Sequence, residues 1–197
     1  YGLNMNKESE VNVSLAEPFI EELLYDLLIP ILRKNIKMQL ESGAEIVYVF
    51  DTNSKQLDKD YFEEKYLKKV EKALFQPFPK KIAYFSKNKS FYDINEMETN
   101  SYELAGTVFP MEEGFRSYIG KSKKGFVQGN FSPISLLKPH SDFLLDFDVF
   151  LKKMKSLSVA DRTGWICSLN HGVLPKTPEI NVRHFIQAIR EQFSGWN

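Results

Sequence analysis

The stretch WICSLNHGVLP, Trp165 to Pro175, begins as a buried strand and ends in Asn-His-Gly. Trp165, Ile166, Cys167 and Leu169 suit a pleated, buried surface, with only Ser168 between them. A histidine and a flexible glycine then stand at the C-terminal tip. How many such strands the chain holds, and what their tips carry, decides both the fold and the chemistry.

Working outward, the same pattern recurs. Strands are predicted at Glu45–Asp51 (EIVYVFD), Lys81–Ser86 (KIAYFS), Glu103–Val108, Gly125–Phe131 (GFVQGNF) and Trp165–Leu169. Helical patterns alternate with them. A long helix over Ala16–Ser42 repeats Phe19, Leu23, Leu24, Leu27, Leu28, Ile31 and Leu32 at three- and four-residue spacing. Pro30 should kink or split it, and Gly43 should end it. Further helices are predicted at Asp58–Leu74, Tyr92–Met97, Glu112–Ile119, Phe143–Leu157 and Pro178–Phe193. Leu144, Phe147, Phe150, Leu151 and Met154 form the apolar face of Phe143–Leu157. The polar run Lys87–Ser90 reads as a strand-to-helix loop.

Strands alternating with helices argue for parallel pairing through right-handed crossovers. Two α/β architectures fit: an open doubly wound sheet, or part of a (β/α)8 barrel, which needs eight units. Periodicity leaves both open.

Composition narrows the function classes. Lys plus Arg and Asp plus Glu are 26 each in 197 residues, so net charge gives no long-range pull toward nucleic acid or anionic membrane. The aromatics fall at core spacing, not in a basic, base-stacking pattern. The single cysteine, Cys167, excludes a disulfide framework and a multi-thiolate metal site within one chain. No apolar run approaches the roughly 20 residues that span a bilayer. His140 and His184 lie at no metal-ligand spacing, and His184 is expected at the surface of the last helix. There is no phosphate-binding P-loop and no dinucleotide fingerprint.

In either architecture ligands bind beyond the C-terminal ends of the strands. Those tips hold Asp51-Thr52-Asn53-Ser54, Ser86-Lys87, Phe109-Pro110, Gly129-Asn130-Phe131-Ser132-Pro133 and Asn170-His171-Gly172. Thr52 and Ser54 could donate hydroxyls to an anion, although a hydroxyl after a strand is commonly a helix cap. Asn130 follows a glycine, so the backbone can turn tightly there. His171 is a candidate acid, base or carboxylate donor.

Three tips together resemble a known family. SGAEIVYVFDTNSKQL (Ser42–Leu57) is similar to the helix end, strand and Phe-(Asp/Glu)-Ser tip of the uroporphyrinogen decarboxylase family. GFVQGNFSP (Gly125–Pro133) resembles its Gln-Gly-Asn-Leu-Asp-Pro segment. LNHGVLP (Leu169–Pro175) resembles its Leu-Gly-His-Gly-(Val/Leu)-x-Pro segment. The resemblance runs over nearly the whole chain and implies a (β/α)8 TIM-type barrel, with residues 1–197 supplying the last five β/α units of one barrel domain. Tyr1, in place of Met, is then expected to follow an upstream part.

The resemblance also implies an activity: cofactor-free decarboxylation of the four acetate side chains of uroporphyrinogen III to coproporphyrinogen III. It implies no metal or organic cofactor, a cytoplasmic location, a homodimer, and no nucleic-acid or membrane partner. Residue by residue, Thr52 matches the family's substrate-contacting serine and Phe50 an apolar residue lining the macrocycle pocket. His171 matches the histidine that contacts a substrate carboxylate, and Gly172 lets its loop pass close to the substrate. The family's central aspartate and its carboxylate-binding arginines belong to the N-terminal half, so the catalytic groups are expected there and the 197 residues alone are expected to be inactive. Tyr1 corresponds to the family's active-site tyrosine only if a few loop residues are deleted. Three tips depart from the pattern: Ser132 replaces an aspartate, Gly106-Thr107-Val108-Phe109 replaces Gly-Leu-Asp-Trp, and Asn170 replaces a glycine. Those departures motivate a non-catalytic tetrapyrrole- or partner-binding half barrel as an alternative. A corrinoid or thiol methyltransferase of the same superfamily, which holds zinc through His and Cys, is the other. Five strands of a closed barrel also leave two raw edges, which invite pairing or aggregation.

Overall fold

The computed structural model describes residues 18–92, 104–110, 114–121 and 125–193. They fall into two compact units that divide between Ala44 and Glu45. In the first, helix α1 runs through Pro18–Glu22, a π-helical Leu23–Leu28 and Ile29–Glu41. Pro30 does not end it. The π segment lies immediately before the proline, in the first turn of Ile29–Glu41, and loosens the hydrogen-bond ladder where a proline N–H would be missing. Gly43, at φ +102°, closes the helix as expected, with Gly43 N and Ala44 N donating to Leu40 O and Gln39 O. Phe19, Leu27, Ile31 and Leu32 of the periodic stripe are exposed.

The second unit is a five-stranded sheet: β1 (Val47–Asp51), β2 (Ile82–Ser86), β3 (Gly106–Val108), β4 (Phe126–Phe131) and β5 (Trp165–Leu169). All four pairings are parallel, and the spatial order is the chain order. That order separates the two architectures. A doubly wound sheet reverses its strand order at a switch point. Consecutive right-handed crossovers without reversal keep every helix on one face, as in a (β/α)8 barrel. All five predicted strands form, each within three residues of its expected start.

Helix α2 spans Lys59–Phe75 in alternating α and π segments. Asp58 caps it, its side chain accepting from Tyr61 N at 2.9 Å. Helix α3 is Phe115–Lys121 and α5 is His140–Lys155. The last helix, α7, is Glu179–Phe193. Two short helices were not expected: α4 (Pro133–Leu137) and α6 (Val159–Arg162). Residues 89–92 are helical, while the rest of the predicted Tyr92–Met97 helix lies outside the described residues.

On the helix side, Phe131 of β4 packs among Phe143 and Phe147 of α5 and, from α7, Phe185. A run of ring contacts, Phe75–Tyr84–Phe91–Tyr92–Phe109–Tyr118, backs β2 and β3. His184 does not sit at the surface. It is half-buried, with its ring edge-on to Phe143 and Phe147, because α7 turns that face toward α5.

The opposite face curls. Tyr48 of β1 and Gln128 of β4 are separated by three inter-strand spacings, about 14 Å on a flat sheet. Yet Tyr48 Oη donates to Gln128 Oε1 at 2.9 Å, and the Tyr48 and Phe126 rings are 6.0 Å apart. Side chains that leave a sheet roughly perpendicular meet across three gaps only if the sheet bends toward them. Ala83 and Gly106 share the row between Tyr48 and Phe126 and leave room for the contact. A Cβ on Gly106 would lie 2.4 Å from the Phe126 ring. All five residues of β2 are buried, whereas inner-face residues of the edge strands remain exposed: Tyr48 by 37%, Phe50 by 65% and Ile166 by 40%. Among the described residues, no helix is long and apolar enough to cross a membrane.

Candidate functional site

The tips of β1, β2 and β3 are tied together by a buried polar network. Asp51 closes β1. Its Oδ1 accepts from Ser54 N at 3.2 Å, and its Oδ2 accepts from Tyr66 Oη at 2.9 Å and Tyr84 Oη at 2.5 Å. Burial, with the Asp51 charge as the next cause, raises the Tyr84 phenol well above its ordinary pKa. Ser54 is itself buried: its hydroxyl lies 2.8 Å from both Asp51 O and Ser86 Oγ. It is therefore a structural hydroxyl, and it does not face an anion.

The run Lys87–Ser90 joins β2 to the helical residues 89–92, as expected, but two of its four residues are buried. Asn88 and Ser90 are buried because the Asn88 amide donates to Ser54 O (2.9 Å) and Leu57 O (3.2 Å), while its Oδ1 accepts from Ser90 N. Tyr92 Oη lies 2.8 Å from both Ser86 O and Val108 O, which carries the network to β3. Burial pushes the Tyr92 phenol well up as well. None of Asp51, Asn88 or Tyr92 was singled out in the sequence. An acidic residue followed three positions later by Ser, just past a strand, was the one available signal.

Against that network, the residues expected to touch substrate stand out by exposure. Thr52 is exposed and makes no capping hydrogen bond; the Asp51 carboxylate and the Ser54 hydroxyl organise the turn in its place. Phe50 points from the inner face and touches Tyr48 and Phe85 through ring contacts at 6.2 and 5.7 Å. His171 is exposed, one residue beyond Asn170, whose amide donates to Phe131 O at 3.0 Å. Thr52 and Phe50 belong to edge strand β1 and His171 follows edge strand β5. All three are at the C-terminal end of the sheet, but the described residues bring only Phe50 and Thr52 together; His171 stands at the other edge.

At β4 the strand runs through Gly129-Asn130, joined by a cis peptide bond, to Phe131. Gly129 has φ +150°, and a Cβ there would lie 3.1 Å from Phe109 O. Trp165 Nε1 donates to Gly129 O at 2.8 Å, which ties β4 to β5. Val108 and Phe109 are buried, so among the described residues neither supplies an exposed polar side chain at the third tip.

A cavity of about 700 Å³ lies beside the β4 tip, between α3 and α5 on the helix side of the sheet. Arg116, Asn130, Ser132, Asp146 and Lys153 supply its polar wall. Neither Phe50, Thr52 nor His171 lines it. The Asp146 carboxyl is held below its usual range by the hydrogen bond from Lys138 at 2.7 Å. Position on the strand-tip side, not enclosed volume, marks the candidate substrate surface.

Burial pushes the Cys167 thiol up to about 12. Among the described residues no group of three or more His, Cys, Asp or Glu is placed to hold a metal ion, so none there supplies the His and Cys set of the methyltransferase kind.

The family model for uroporphyrinogen decarboxylase (URO-D) matches residues 11–192. The chain belongs to the uroporphyrinogen decarboxylase family. Among curated relatives, the uroporphyrinogen decarboxylase of Nostoc punctiforme is 28% identical over 189 residues, covering 93% of this chain and 51% of that protein. The Synechocystis enzyme is 28% identical over 185 residues, covering 91% and 50%. The Rickettsia bellii enzyme is 30% identical over 161 residues, covering 78% and 44%. The chain thus spans about half the length of the curated relatives it matches. The parallel, curled, sequentially ordered sheet agrees with a partial TIM barrel of this decarboxylase family.

Proposed function

We propose that this chain forms the C-terminal part of a uroporphyrinogen decarboxylase of porphyrin biosynthesis, which removes CO2 from the four acetate side chains of uroporphyrinogen III to give coproporphyrinogen III. The observation that carries the reading is the pairing of exposure with position. Thr52 and His171, polar and exposed, follow the two edge strands at the ligand-binding end. In a closed eight-stranded barrel, strands four apart lie across the mouth from each other. One macrocycle between them would meet the Thr52 hydroxyl and the Phe50 ring on one side and the His171 imidazole on the other.

The chemistry uses no metal or organic cofactor. A pyrrole ring is protonated beside the acetate, and the resulting cation accepts the electron pair released as the carbon–carboxylate bond breaks and CO2 leaves. A second proton then adds to the side-chain carbon, making it a methyl group, and the first proton leaves the ring to restore the pyrrole, so one proton is taken up for each CO2 released. The protein must stabilise the cation and hold a highly anionic substrate. Thr52 and His171 serve the second task, as hydrogen-bond donors to substrate carboxylates, and Phe50 lines the apolar floor. The aspartate at the macrocycle centre and the carboxylate-binding arginines belong to the family's other half, so the 197 residues alone are expected to be inactive. The reading carries a cytoplasmic homodimer with it.

Anaerobic incubation of the natural, complete polypeptide with uroporphyrinogen III, followed by oxidation and chromatography of the porphyrins, tests this. Products losing one to four carboxyls are expected, and H171A and T52A should each raise KM by roughly tenfold, the worth of one hydrogen bond to a charged group. Tight substrate binding without CO2 release would favour a non-catalytic tetrapyrrole-binding protein. The buried, apolar Val108-Phe109 tip is the observation that favours that second reading.

A further inference from the structure

Asn181, in the first turn of α7, is completely buried and far from Thr52 and Phe50 in sequence. Its Nδ2 donates to Leu136 O at 2.9 Å and Lys138 O at 2.8 Å, two carbonyls at the end of α4 that no later helical turn reaches. Both amide hydrogens are used, so the remaining atom facing His140 Nδ1 at 2.7 Å is the acceptor Oδ1. Oδ1 cannot donate. His140 must therefore carry its hydrogen on Nδ1. One side chain thus joins the end of α4, the start of α5 and the start of α7, across 41 to 45 residues of sequence.

The segment between β5 and α7 carries His171; one of its ends is fastened to the last residue of β4 and the other to the connection that follows β4. At the start, Asn170 N donates to Phe131 O at 3.0 Å. At the finish, Asn181 holds Leu136 O and Lys138 O. Between them, Thr177 closes a turn, with N and Oγ1 both donating to Leu174 O at 3.2 and 2.7 Å. Among the described residues His171 has no hydrogen-bond partner, and Gly172 beside it has open space where a Cβ would stand. Its place is set by the anchors on either side.

We infer that Asn181 is a positioning residue for His171: it clamps the far end of the 170–178 loop to the β4–α5 connection and so fixes where the imidazole meets a substrate carboxylate. The inference rests on the proposed role of His171. Its test is a double-mutant cycle in the natural, complete polypeptide, read as KM and kcat for uroporphyrinogen III, with thermal unfolding followed alongside. N181A should raise KM roughly two- to tenfold and change kcat less than KM. In the H171A background, N181A should leave KM nearly unchanged, because the residue it acts through is gone. An equal KM factor in both backgrounds, or no KM change on N181A, overturns the inference while leaving His171 as a substrate contact. An unchanged KM in H171A alone overturns the His171 reading and this inference with it. Should N181A not fold, H140A, at a half-buried site, loosens the same clamp and enters the same cycle with the same expected pattern.

Discussion

Asp51→Ala is the perturbation that best separates a clamped strand tip from a loosely ordered one. The carboxylate accepts two phenol hydrogen bonds and one amide hydrogen bond, and the partner Tyr84 is almost fully buried. A hydrogen bond to a charged group contributes about 1.5–3 kcal/mol where its partner would otherwise be left buried and unpaired. Tyr84 belongs at the upper end of that range. Tyr66 is only partly buried and the Ser54 amide bond is long at 3.2 Å, so the two contribute about 1 kcal/mol between them. The expected cost of D51A is therefore about 4 kcal/mol in urea unfolding followed by circular dichroism. Y84F removes one donor but leaves the carboxylate two partners, at about 1 kcal/mol. In the Y84F background, D51A should cost about 1–2 kcal/mol less than in the wild type, the coupling of directly bonded groups. A cost below about 1 kcal/mol, or an identical cost in both backgrounds, would refute the reasoning.

Burial raises the Tyr84 and Tyr92 phenols above their value in the unfolded chain, near 10, so the folded state holds protons that the unfolded state releases. Their contribution is complete below that pH and is lost as pH rises toward the folded values. Stability should fall above pH 10 by about 1.4 kcal/mol per pH unit for each tyrosine, and Y84F should remove that amount from the slope in alkaline urea titrations. Cys167, with its thiol pushed up to about 12, should react with iodoacetamide at pH 8 about three orders of magnitude more slowly than a free thiol, measured by intact mass. Gly106→Ala forces a Cβ into the Phe126 ring and should cost about 1–3 kcal/mol in the same urea assay, with F126L restoring most of it. No such rescue would mean that the inner-face contact between Gly106 and Phe126 is not formed.

The strands were legible because burial on both faces leaves a β-branched and aromatic run with little else in it, as in IAYFS of β2. Helix α5 was legible from its apolar stripe, and α7 from the proline at its start. What pairs with what was not: an open sheet and a barrel share the same strand periodicity, and only the unbroken strand order and the Tyr48–Gln128 contact separate them. The short helices α4 and α6 escaped because four or five residues carry too little periodicity. His184 was misjudged because the polar character of its ring outweighed its place on the α5-facing stripe, where its edge contacts Phe143 and Phe147. Asn88 and Asn181 read as loop and helix polarity, yet both are buried, each answering backbone carbonyls that lie more than 30 residues away.

That last feature explains which tip residues remain for a substrate. A buried polar group must be paired, since leaving it unpaired costs about 1–3 kcal/mol. Asp51, Ser54, Ser86, Asn88 and Tyr92 meet the requirement by bonding one another and the strand ends, and so have little to offer a ligand. Thr52 and His171 are under no such constraint because they are exposed. Their direction is nonetheless set by the paired groups beside them: Asp51 and Ser54 for Thr52, and the Asn170 and Asn181 anchors for His171. An exposed donor on a rigid tip loses little conformational entropy on meeting a carboxylate, which is where such a site gains affinity over the same groups on a loose loop. Substitutions in the buried network should therefore weaken affinity for the proposed substrate, measured as KM, even though those side chains bond one another and the strand ends.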